Sequence, residues 1–307
     1  MAGRFNNMQM RQRVNFVIFL GPAIVIIFLF YIAPIIVDLG MSFTDMGKTL
    51  KVEEYFTLKN YYRMFTGDRR LAGVMFRTLL YVLVTLTIFN TTFGLVLALV
   101  TTSVPERSGA FFRAIWLLPR MSPAVVYALL WAWVIDPTER GLLNQVLHGL
   151  LGMKRVDMFN DTPILLIVFA NGFIGASMGM IIFTSAIRAI PEHLFFAARA
   201  DGAGGFAIAW HITLPALYWP LAFITIYQTL SLLTSFEYIL LITDGGPFRD
   251  TMVYALYIYK RAFEFGDYAY GATLALALVV IGIITSLLMW RFMNMQALLQ
   301  RPRIEVH

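Results

Sequence analysis

The sequence contains no cysteine. That excludes a disulfide framework, a thiolate zinc site and a cysteine nucleophile. Charge is also scarce: 14% of the 307 residues are Asp, Glu, Lys or Arg, against ~25% in a soluble domain. The only histidines are His148, His193, His211 and His307, and none stands at metal-ligand spacing. Neither a Gly-x-Ser-x-Gly elbow nor a His-Glu-x-x-His run occurs. Gly47-Lys48-Thr49 looks like the end of a phosphate-binding loop, but Ser42 stands where that loop needs its first glycine. No Lys/Arg-rich run exists, so the net charge of +6 reads as charge flanking membrane spans rather than a nucleic-acid footprint. These absences leave no candidate catalytic residue, and no metal or cofactor held by the chain itself.

What is abundant is apolar surface. Hydrophobic residues make up 59% of the chain and the mean hydropathy is +0.71. A span needs ~20 mostly apolar residues to cross ~30 Å of hydrocarbon. Six segments qualify: Phe16–Val37, Leu79–Val100, Ala114–Ile135, Pro163–Ile187, Trp219–Ile242 and Ala269–Trp290. With no water to satisfy backbone groups, each is expected to be a helix. The first is too long for the apolar core of a signal peptide and carries Pro22 and Pro34. The reading is therefore an all-α integral membrane protein with six transmembrane helices over residues 16–290 and short tails at 1–15 and 291–307. An even number of spans puts both tails on one side. Arg4, Arg11 and Arg13 in an acid-free tail favour the inside. The Lys/Arg count over tails and loops, with Arg77 and Arg120 left aside, is ten on that side against twelve on the other and does not decide it. The loop Asp38–Arg70 reads as a solvated cap, Leu142–Leu151 as a surface helix, and Asp244-Gly245-Gly246-Pro247 as a turn before a helical run from Thr251 to Phe263.

Polar groups inside spans are costly and therefore informative. Arg120 lies about six residues, ~9 Å, from the start of its span, within snorkelling reach of the surface. Glu237 lies about as close to the end of its own. In the fifth span Thr225, Gln228, Ser231, Ser235 and Tyr238 fall on one helical stripe. That stripe suits hydrogen bonding to a polyhydroxylated solute, or equally to a neighbouring helix. Asn90 and Asn171 are further candidates for lining a path. Gly175 and Gly179, with Gly172 nearby, point to a close helix–helix contact.

Between the fourth and fifth spans stands a soluble-looking stretch, Ile190–Pro215, within the connection 188–218. Pro191 suits the first helical position, and Glu192 the positive helix end. Leu194, Ala197 and Ala198 share a face. Asp201-Gly202 stops the helix, Gly204-Gly205 allows a turn, and a second short helix runs to Pro215. Such a unit is either a docking piece or a plain connection.

On Pro191, Ala197, Ala198, Asp201, Gly202, Ala203, Ile212, Leu214 and Pro215, the stretch resembles the cytoplasmic coupling loop of ABC transporter permease subunits. It departs where the family has a glutamate, since Phe196 stands there. Ser42-Phe43-Thr44-Asp45, Leu118-Pro119, Ser122-Pro123, Thr243–Pro247 and Tyr259–Gly271 resemble the first permease subunit of carbohydrate importers of the maltose/glycerol-phosphate class. The resemblance implies that the loop and both termini are cytoplasmic. It implies a multi-pass protein of the bacterial inner membrane that carries a sugar, glycoside or polyol. It also implies its partners: a second homologous permease, a cytoplasmic ATPase homodimer that binds the ATP and Mg, and an extracytoplasmic solute-binding protein. The coupling residues it implies are Pro191, Leu194, Phe196, Ala197, Ala198, Asp201, Gly202, Ala203, Ile212, Leu214 and Pro215. The candidates for the solute path are Asn90, Asn171, Gln228, Ser231, Ser235, Glu237 and Tyr238. The alternative is an ion-coupled carrier or channel, for which only Arg120 and Glu237 offer buried charge and which has no use for a docking loop. The identity of the solute is not legible.

Overall fold

A computed structural model describes residues 18–52 and 54–292. The expected tails fall outside these residues, apart from Arg291 and Phe292. The described residues form helices and connections, with no strand among them. Four unbroken helices are long and apolar enough to cross a membrane: α1 (Ile18–Ser42), α2 (Leu71–Ser103), α5 (Pro163–Arg188) and α10 (Tyr268–Arg291). Two further spans arise if bent pairs count as one each. The first pair is α3 (Glu106–Met121) with α4 (Ala124–Val134), bent by 102°. The second is α7 (Gly205–Ala216) with α8 (Tyr218–Thr234), bent by 65°. Between α5 and α7 lies α6 (Glu192–Ala200), and α8 is followed by α9 (Glu237–Thr243).

Two spans therefore differ from the continuous helices expected. Ala114–Ile135 breaks at Ser122, whose ψ of 141° is extended. Pro123 follows it, and the proline ring drives the preceding residue out of the helical region. Trp219–Ile242 breaks at Ser235-Phe236, where no proline or glycine gives warning. There the Ser235 hydroxyl accepts a bond from Asn171 Nδ2 at 2.8 Å.

The chain divides into two compact units. One gathers the chain up to Asp68 with Ile258–Val280. Its polar segment is stitched to the apolar helices rather than loosely solvated. Asn60 Nδ2 donates to Ser42 O at 3.2 Å and to Thr44 O at 2.7 Å. The Ala269 N–H reaches Met46 O at 3.0 Å. Arg63 pairs with Asp267 at 2.8 Å and lies 4.0 Å over the Tyr270 ring, whose hydroxyl donates to Asp68 at 2.7 Å.

The other unit, Arg69–Tyr257 with the chain from Ile281 on, is built around α5. The most apolar window of α5 is 67% buried, against 39% for that of α2. Ala98, Phe183, Ile187, Leu217 and Ile224 form a core cluster on its side. The glycines of α5 mark its crossing with α2, as their spacing predicts. A Cβ on Gly172 would meet the Phe89 ring, one on Gly175 the Asn90 amide, and one on Gly179 the Asn90 carbonyl oxygen. Backbone cannot retreat as a side-chain tip can. Gly179→Ala is therefore expected to cost ~1–3 kcal/mol through overpacking. Gly282→Ala, where the nearest atom is 3.6 Å away, should be close to neutral. The thermal midpoint of the purified protein in one detergent compares the two; equal midpoints would mean that the α2–α5 crossing is looser than this.

Candidate coupling surface and polar cavity

The loop after α5 is a built unit. Its first helix starts at Glu192, one residue later than expected, because Pro191 is the N-cap with ψ 128°. Asp201 closes α6, and Gly202 follows in the left-handed region at φ +79°. The Gly202 N–H donates to Arg199 O at 3.0 Å and the Ala203 N–H to Ala198 O at 2.9 Å. These are the two bonds of a Schellman motif, which satisfies carbonyls that the helix end would orphan. Gly204, at φ −72°, needs no such freedom. The second helix does not end at Pro215. It continues to Ala216, with residues 209–213 wound as a π-turn just before the proline, and the chain bends at Leu217.

The unit exposes apolar side chains. Leu194 is 41% exposed, Phe196 61%, Phe206 82% and Trp210 58%. Phe206 and Trp210 stack with centroids 6.2 Å apart and planes at 16°. Ala197 is exposed, Ala198, Ala203, Ile212 and Leu214 are partly buried, and Asp201 and Pro215 face outward. Phe206 and Trp210 were not among the expected coupling residues. The signal was present, since aromatics four residues apart share a helix face. Phe195 and Phe196 line a groove of about 760 Å³ that also meets Leu99, Glu106, Arg188 and Thr213. At its rim Glu106 holds Arg113 by one carboxylate oxygen, at 3.0 Å, and Arg188 by the other. Arg113 also donates to Thr101 O at 3.0 Å. These bonds tie the start of α3 to the ends of α2 and α5, from which the loop springs.

The second site is a cavity of about 270 Å³ at the two helix breaks. Arg120, Asn171, Ile174, Gly175, Gln228, Ser231, Ser235 and Tyr238 line it. Gln228 Nε2 donates to Gly175 O at 3.0 Å and Asn171 Nδ2 to Ser235 Oγ at 2.8 Å. These bonds fix both amides and leave their oxygens without a protein donor among the described residues. The expected stripe is thus no single helical stripe, because α8 ends at Thr234. Gln228, Ser231, Ser235 and Tyr238 reach one cavity through the break. Thr225 is turned away, bonding Leu221 O at 2.7 Å. Asn90 lies behind the wall: it is fully buried against Gly175, and both polar atoms of its amide lack a partner among the described residues. Glu237 is exposed at the start of α9 and does not line the cavity. Arg120, read as a snorkelling group, instead stands at the end of α3 on the cavity wall.

Residues 90–294, two thirds of the chain, match the family described as binding-protein-dependent transport system inner membrane component. The chain belongs to that family. It is a multi-pass membrane protein, a permease subunit of a binding-protein-dependent importer, and a transport subunit rather than an enzyme. The ion-coupled carrier alternative falls with that membership. The chain is 30% identical over 283 residues to the probable ABC transporter permease protein YurN of Bacillus subtilis, covering 90% of this chain and 94% of that one. It is 28% identical over 295 residues to the diacetylchitobiose uptake system permease protein NgcF of Streptomyces coelicolor, covering 91% and 82%. Its fold is similar to that of a chain in the crystal structure of a bacterial alginate ABC transporter in complex with an alginate pentasaccharide-bound periplasmic protein. There the TM-score is 0.78 at 21% identity, over 92% of this chain and 94% of that one.

Proposed function

We propose that this chain forms half of the translocation path of an importer of a sugar, glycoside or polyol-type solute. It works in the bacterial inner membrane with a second, homologous permease. A cytoplasmic ATPase homodimer binds the ATP and Mg, and an extracytoplasmic binding protein delivers the solute. Both termini and the loop 190–215 are cytoplasmic. Named relatives that take up oligosaccharides support the solute class.

The observation that carries the coupling role is the two-helix unit itself. It is closed by a Schellman motif, exposes Leu194, Phe196, Phe206 and Trp210, and follows directly on the most buried of the four unbroken spans. ATP closes the ATPase dimer, and each loop seated on an ATPase moves with it. A stiff loop passes that motion to α5, and the spans rock to expose the cavity to one side or the other. Asn171, Gln228, Ser231, Ser235 and Tyr238 offer neutral donors and acceptors to solute hydroxyls.

Purification from a native membrane in mild detergent tests the reading. The chain should bring down an ATPase and a second permease, and proteoliposomes of the complex with the binding protein should take up labelled sugar only with ATP. A chain that purifies without an ATPase, or uptake driven by an ion gradient alone, would count against it.

A further inference from the structure

We propose that the solute group seated at the cavity of α3, α5, α8 and α9 carries an oxyanion, a carboxylate or a phosphate, and that Arg120 is the residue that selects it. The proposal deepens the importer reading and rests on it.

Every other polar lining group is uncharged: Asn171, Gln228, Ser231, Ser235 and Tyr238. Neutral amides and hydroxyls suffice for a neutral sugar, so a guanidinium among them adds a charge that such a solute does not use. Arg120 has no ion pair among the described residues. Glu237 comes within electrostatic reach of the Tyr238 hydroxyl, as Arg120 does, but makes no pair with Arg120 and is not on the wall. Arg77 and Arg113, also on the long helices, are paired: Arg77 bonds Asp250 at 3.1 Å, and Arg113 bonds Glu106 at 3.0 Å. An intramembrane cation is ordinarily matched by a partner, and a guanidinium fork matches a carboxylate or phosphate with two parallel bonds. The geometry supports one sugar unit here. The cavity of about 270 Å³ holds roughly nine waters at ~30 Å³ each, the scale of a single ring. Its hydroxyls would meet the free oxygens of Asn171 and Gln228 while its anionic substituent meets Arg120.

The test is equilibrium dialysis of the whole importer complex in nanodiscs of zwitterionic lipid, without ATP, against labelled D-glucuronate, D-glucose 6-phosphate and D-glucose. At least one oxyanion probe is expected to bind about tenfold or more tightly than glucose, the scale of a charged hydrogen bond. Arg120→Gln should bring the ratio to within about twofold, and Arg120→Lys should keep part of it. Equal binding of all three probes, no binding of either oxyanion, or a preference that survives Arg120→Gln would overturn the proposal. So would an Arg120→Gln complex that loses its second permease, which would make an acid of that subunit the partner. An oxyanion preference that appears or vanishes only on adding anionic lipid would make a headgroup phosphate the partner, and would overturn it too. Because the measurement needs no ATP, a complex that binds glucose but drives no ATP-dependent uptake points to failure of the importer reading instead.

Discussion

Gly202→Val is expected to cut solute uptake by the assembled importer about tenfold, and ATP hydrolysis stimulated by the binding protein along with it. The reason lies in the backbone and not in crowding. No atom lies within 4 Å of where a Cβ on Gly202 would be, yet φ there is +79°. A side chain in the left-handed region costs roughly 1–2 kcal/mol, more when β-branched. That is a factor of roughly 5–30 in the population of the closed turn. The turn is what joins α6 to α7, so its loss converts a stiff unit into a hinge. Asn tolerates the left-handed region, and Gly202→Asn should retain most of the activity. Gly204→Val should be mild, since φ is −72° there and nothing lies within 4 Å. Uptake and hydrolysis are read in proteoliposomes holding equal amounts of assembled complex. Wild-type rates in Gly202→Val would sink the coupling role of this turn.

That contrast also bears on how much the chain declared in advance. Spacing placed Gly202 in a helix stop, but Gly202, Gly204 and Gly205 look alike in a sequence, and only the coordinates single out the one with positive φ. Six spans were legible because hydrocarbon demands length and apolarity, which composition records directly. The α2–α5 crossing was legible for a similar reason, since only small residues let helices approach that closely. Interruptions were harder. Pro119 and Pro123 were in plain view at the α3–α4 break, but a run of apolar residues on either side concealed its 102° bend. At Ser235 a tertiary bond from Asn171 marks the interruption, and no local pattern encodes a partner 64 residues away. The cavity depends on both breaks. Arg120 could not be placed beside Gln228 while its span was drawn as a straight rod. Asn90 failed as a lining residue for the complementary reason: the glycine that allows the helices to touch also seals that amide behind the wall.

The second large effect is expected at an aromatic pair. Trp210→Ala is expected to weaken binding of the ATPase by about thirtyfold, and Phe206→Ala with Trp210→Ala to abolish its copurification. Phe206 is 82% exposed and Trp210 58%, and the two stack on each other at the far side of the Gly202 turn. Two large aromatics left facing solvent on a helix are costly unless covered. Truncating a buried interface aromatic commonly costs ~2 kcal/mol or more, which is the thirtyfold stated. Because neither residue packs into the chain's core, the variants should insert and pair with the second permease normally, and the loss should be confined to the ATPase. Phe196, on the groove where the family's glutamate is expected, gives the matched comparison. If docking at that position is apolar, Phe196→Glu should weaken the complex rather than strengthen it. The alternative for Phe206 and Trp210 is an interfacial belt in the lipid headgroups, where aromatic rings also gather. Affinity of the purified ATPase for the permease pair in nanodiscs, measured by biolayer interferometry, separates the two. Unchanged affinity in the double variant would assign the rings to the membrane surface and leave docking to Leu194 and the groove.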